Sequence, residues 1–119
     1  MQGTRVTYTY HTAGTLAANH SFTFTLPFDA QLVHVSAVAS NASNGILDVG
    51  YTGALEAYVL NKDIGDSGVP GCVDAPDEFV GGNYPHIAAG TVIVATLDYD
   101  GAGGTAAADF TLVLTFTEG

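Results

Sequence analysis

The sequence predicts an all-β fold, an antiparallel β-sandwich of jelly-roll type that takes residues 1–119 as one domain. Three observations carry that expectation. Side chains alternate with period two along several runs rich in Thr, Val, Phe and Tyr. Short turns containing Gly, Pro or Asn separate the runs. No stretch shows an amphipathic helical repeat of useful length.

Taken in order, residues 5–11 put Val6, Tyr8 and Tyr10 on one face and Thr7, Thr9 and His11 on the other. Residues 21–26 alternate Phe22, Phe24 and Leu26 with Ser21, Thr23 and Thr25. Leu26-Pro27 then marks a turn. Residues 31–39 form a strand of a different kind. Strict alternation gives one face Leu32, His34, Ser36 and Val38, and the other Val33, Val35, Ala37 and Ala39. Both faces are substantially apolar, which suits a central strand covered by a loop or a strand whose second face meets another subunit. Leu32, His34 and Val38 are the interface candidates on that second face. Residues 45–51 and 54–60, joined through Gly53, read as two more strands. So do 91–98 and 110–117, the last alternating Phe110, Leu112, Leu114 and Phe116 with Thr111, Val113, Thr115 and Thr117.

Between them, residues 61–90 lose the rhythm and fill with Gly, Pro and Asp. Ile64, Val69, Phe79 and Tyr84 are apolar anchors expected to fold this segment onto the sandwich.

Twelve acids stand against Arg5 and Lys62, for a formal net charge of −10. Binding to nucleic acid requires clustered cations that displace counterions from phosphates, so this balance argues against it, and equally against anionic lipid. No basic segment followed by an apolar run opens the sequence, so no export signal is expected, and the apolar runs are too short to span a bilayer. The sequons at Asn19 and Asn41 therefore read as chance matches. Cys72, the single cysteine, has no internal partner.

Reaction chemistry is hard to find. "DYDGAGGTAAAD" places Asp98, Asp100 and Asp109 at positions one, three and twelve of a calcium-loop pattern. Position five is Ala102, however, and the flanks are strand-like. A glycine-rich hairpin tip joining 91–98 to 107–117 is the simpler reading, with a weak calcium site on those three acids as the alternative. Asp63 and Asp66 are ordinary turn formers that could also ligate calcium. His11, His20, His34 and His86 share no zinc spacing. No nucleophile elbow, phosphate loop or dinucleotide fingerprint occurs. Cys72 lies in an acidic stretch that disfavours a thiolate, and Asp77-Glu78 reads as a solvated loop pair. We therefore expect no enzyme and no cofactor. A sugar-binding sandwich is a rival, with Tyr51, Tyr58, Tyr84 and Tyr99 available as a platform.

Sheet edges invite pairing with other chains and are commonly defended by Lys, of which this chain has one. Together with the two-faced strand, that points to an assembling protein. "LPFDAQLVHVSAVASN", "YVLNKDIGDSGVPG" and "YPHIAAGTVIVATLDYDGAGGTAAADFTLVLTFTEG" resemble small accessory virion proteins of tailed bacteriophages, the capsid decoration (cement) proteins among them. The likeness covers most of the chain and is one of texture and order, so it transfers no site residue. It implies a β-rich structural protein made in the host cytoplasm and carried on the capsid surface. The implied partners are its own copies, with a homotrimer favoured, and the major capsid protein. An accessory tail or fibre protein fits the same likeness.

Overall fold

The computed structural model describes residues 5–119. Among them lie nine strands: β1 (Arg5–Thr15), β2 (His20–Phe24), β3 (Ala30–Val38), β4 (Ile46–Tyr51), β5 (Ala54–Asp63), β6 (Gly71–Val73), β7 (His86–Ile87), β8 (Ile93–Asp98) and β9 (Ala108–Glu118). A single 3-10 turn spans Pro76–Glu78. One sheet runs β1-β9-β3-β6, with β7 pairing the start of β3; the other runs β2-β8-β4-β5. Leaving β7 aside, antiparallel partners nest: β1 with β9, β2 with β8, β3 with β6 and β4 with β5. A ribbon folded back at the β4–β5 turn and rolled across two sheets gives this order, which is the jelly roll expected from the sequence. The turn itself needs two residues, Thr52-Gly53, and Gly53 adopts φ +98°.

Alternation decides what goes inside. Phe110, Leu112, Leu114 and Phe116 of β9 are wholly buried, facing Leu47, Val49, Ile93 and Leu97 of the other sheet. Burying each such side chain contributes about 1.5–3 kcal/mol, so β9 is the main apolar seam of the sandwich. The partner faces of β1 and β9 carry the Thr residues. No helix among the described residues is long and apolar enough to cross a membrane.

Three expectations need correction. The stretch 98–109 is no hairpin, because β8 and β9 belong to different sheets. Period-two alternation identifies strands without naming their partners. The connection crosses the gap of about 10 Å between sheets, and the 39–45 loop holds it. Asn41 Nδ2 donates to Ala106 O (2.9 Å) and Asn41 Oδ1 accepts from Ala108 N (3.0 Å). Asn44 Oδ1 accepts from Thr105 N at 2.7 Å. Gly101, at φ +62°, runs against the Asn44 backbone where a Cβ has no room.

Second, Leu32 does not share a face with His34 and Val38. A bulge between Leu32 and His34 inserts one residue against β9, which pairs Leu32 with Phe116 and His34 with Thr115. The extra residue reverses the alternation. Leu32 thus joins Val35 and Ala37 in the core at 0% exposure, while His34, Ser36 and Val38 stay half-buried outside. Third, within 61–90 Ile64 and Phe79 are buried and Tyr84 packs against the core, but Val69 is 70% exposed. That segment also contributes β6 and β7, strands too short to leave a period in the sequence.

Candidate interaction surface

Once the core residues of β1, β9, β3 and β6 are assigned, the outward-facing ones fall into three cross-strand rows. Register sets Thr7 beside Thr115 and Thr115 beside His34. The next row is Thr9, Val113, Ser36 and Cys72; the third is His11, Thr111 and Val38. None of these positions is Asp, Glu, Lys or Arg, on a chain that carries twelve acids. The rows are tied laterally by Thr7 Oγ1 and Thr115 Oγ1 at 3.4 Å and by His11 Nδ1 and Thr111 Oγ1 at 2.8 Å. These side chains leave a plate without formal charge, of mixed methyl, imidazole and hydroxyl character.

Charges mark the ends of the plate. Arg5, Thr117 and Gln31 share a register at one end. Asp109 stands at the other, at φ +49°, where the β1–β9 ladder bulges between Thr12 and Thr15. Its Oδ1 accepts from Gly14 N at 2.7 Å and its Oδ2 from Ser40 Oγ at 2.9 Å. The Gly14 N–H, followed by the Ser40 hydroxyl, holds its carboxyl below the usual carboxylate range. Asp109 thus fastens the bulge to the 39–45 loop.

That role separates it from the other two acids of the calcium pattern. Asp98 Oδ1 accepts from Gly101 N, and Asp100 Oδ1 from Ala102 N, both at 3.1 Å within the crossing connection. Among the described residues no three His, Cys, Asp or Glu are grouped to hold a metal. Asp66 caps Ser43 N at 3.1 Å. Glu78 accepts from Asp74 N and Ala75 N, which lower its pKa.

Of the tyrosines expected as a sugar platform, Tyr51, Tyr58 and Tyr84 are linked through the 79–80 backbone, where Val80 N donates to Tyr58 O, and Tyr99 stands on another connection. Tyr51 is 39% exposed beside the buried Tyr58, their rings 5.8 Å apart. Tyr84 packs edge-on to Phe79 and donates to Asp74 O at 3.2 Å. Tyr99 lies on the crossing connection against the core.

Of the interface candidates, His34 and Val38 lie on the plate and Leu32 lies beneath it. Thr111, Val113, Thr115 and Cys72 belong to the plate as well. Alternation in 110–117 already displayed the first three as an outer face, but only the register shows which strand of the chain lies beside them.

No protein-family model matches the chain, and no curated protein matches it. Among solved structures, the chain is similar to a chain of the cyanophage Pam1 capsid asymmetric unit. The TM-score is 0.57 and the identity 16%, over 99% of this chain and 87% of that one. At that identity the likeness is one of fold.

Proposed function

We propose that this chain is a non-enzymatic virion structural protein that binds and reinforces a phage capsid lattice. The observation that carries the reading is the fold it shares, along nearly its whole length, with a chain of a cyanophage capsid. The neutral plate is the surface assigned to the contact, with His34, Ser36 and Val38 at its centre beside Val113. A plate without like charges is the part of a −10 chain that can be desolvated at least cost.

Size sets the mechanism. Four strands about 4.8 Å apart and three rows about 6.8 Å apart make a patch of roughly 200 Å² between backbone centres, or roughly 400 Å² with side-chain margins. A stable interface takes about 800 Å² per partner. One copy alone therefore binds weakly, and reinforcement comes from many copies on a symmetric lattice, with a trimer as the binding unit multiplying the local concentration. The partner is the major capsid protein, met at the capsid surface after synthesis in the host cytoplasm.

The test is co-sedimentation with capsids assembled from the major capsid protein encoded in the same genome. Saturable binding and a raised capsid disruption temperature are expected. Binding to tails but not capsids would replace this reading with that of a tail or fibre protein, and binding to neither would overturn it.

A further inference from the structure

The acids are distributed unevenly about the sandwich. Residues 1–28 hold none of the twelve, and the first is Asp29. That stretch carries β1 and β2, the terminal strands of the two sheets. They lie on the same side of the molecule: the Tyr8 and Phe24 rings stack at 3.9 Å, and those of Tyr10 and Phe22 are 4.1 Å apart. The opposite side is bounded by β5 and β6. Residues 54–78 carry Glu56, Asp63, Asp74, Asp77 and Glu78 on or next to these strands against Lys62, while Asp66 is drawn to the 39–45 loop by Ser43 N.

The β1/β2 side is open to pairing, whereas on the other side Tyr58 O of β5 already accepts from Val80 N. Among the described residues β1 pairs with β9 alone and β2 with β8 alone, and neither strand carries Lys or Pro to blunt its edge. Half-buried Tyr8, Tyr10 and Phe24 line the gap between these two edges. On the far side, β5 presents Leu55 at 48% and Leu60 at 53% exposure.

We propose that copies of this chain associate head to tail, the acid-poor β1/β2 side of one, where Asp109 at the Gly14 end is the acid bonded to β1, docking on the acidic β5/β6 side of the next. Charge decides the orientation. Tail against tail sets acid against acid, and head against head leaves both acidic sides unpartnered, whereas head against tail sets Arg5 and neutral edges against carboxylates. A heterologous contact of this kind closes into a ring when the rotation permits. The sheet plates then remain free for a lattice beneath. The proposal rests on the reading that copies assemble, and does not require a capsid.

Complementation between two blocked variants tests it. Ser21→Asp with Thr23→Asp, both on β2 and off the neutral plate, blocks the head, and Leu55→Asp with Leu60→Asp blocks the tail; all four positions are exposed. By analytical ultracentrifugation, each variant alone should associate about a hundredfold more weakly than the parent, since an unpaired charge in a desolvated contact is strongly unfavourable. An equimolar mixture should form a one-to-one heterodimer through the intact head of one and the intact tail of the other. A mixture that stays monomeric, or a tail-blocked variant that still dimerises, overturns the head-to-tail contact. A parent that is monomeric at every concentration overturns the assembly reading itself. If a variant loses its β-sheet circular dichroism, salt dependence of the parent decides. Association should weaken about tenfold as salt rises to about 1 M and the screening length falls to about 3 Å. Strengthening with salt contradicts the proposal.

Discussion

Replacing Leu32 by Ala probes the bulge in β3, because strict alternation and the bulged register assign this side chain to opposite faces. Leu32 is fully buried and sits opposite Phe116, so truncation removes contacts that no neighbour can replace. Leu→Ala at such a site costs about 2–5 kcal/mol, the loss in transfer free energy adding to that of the cavity. At about 2.1 cal/mol/K of unfolding entropy per residue, a loss of about 3 kcal/mol lowers the melting temperature of a chain this size by about 12 °C. His34→Ala removes a half-buried side chain from the outer plate and should cost less than about 1 kcal/mol. Thermal and urea unfolding followed by circular dichroism measure both. A Leu32→Ala variant within about 0.5 kcal/mol of the parent, or one less damaging than His34→Ala, would refute the bulged register.

Three other outcomes follow from the geometry. Asn41→Ala strands the Ala106 carbonyl and the Ala108 N–H, and urea denaturation should show a loss of about 1–3 kcal/mol; an unchanged midpoint would mean the crossing connection is held elsewhere. Asp109 and Glu78 have folded pKa values depressed by the N–H groups they accept from. Their stabilisation is therefore complete above the unfolded carboxylate value of about 4 and lost as pH falls through the lower folded values. Asp109→Asn should flatten the acid limb of a melting-temperature profile and leave the limb above neutrality unchanged; an unaltered acid limb would contradict this. Asp98→Asn with Asp100→Asn should shift melting equally in calcium and in chelator, since each carboxylate serves a local backbone N–H. A stabilisation by calcium that the pair abolishes would show instead that the crossing connection binds the ion.

Strand positions were legible in β1, β2 and β9 because burial on one face writes a period of two into the sequence; β4, β5 and β8, whose burial does not alternate strictly, were legible from their apolar content and flanking turns. Partner choice was not. The alternation of 110–117 reads the same whether β9 pairs with β8 or with β1 and β3, and glycines at 101–104 suit an inter-sheet crossing as well as a hairpin. What distinguishes the two is long-range: Asn41 and Asn44 reach residues more than sixty positions away. The β3 bulge left no mark either, since Leu32-Val33-His34-Val35 offers apolar residues to both faces. His34 and Val38 were placed correctly on the outer face by alternation that holds after the bulge, and Leu32 was misplaced by alternation carried across it. Val69 shows that an apolar residue in a long connection need not be an anchor, whereas Ile64 and Phe79 are buried.

Electron cryomicroscopy of decorated capsids, assembled from the major capsid protein of the same genome, is the measurement that bears most directly on the proposed role. It is expected to show density for this fold on the capsid exterior with His34, Ser36, Val38 and Val113 against the major capsid protein. Density that turns this plate toward solvent, or capsids that remain bare at saturating protein, would contradict the account.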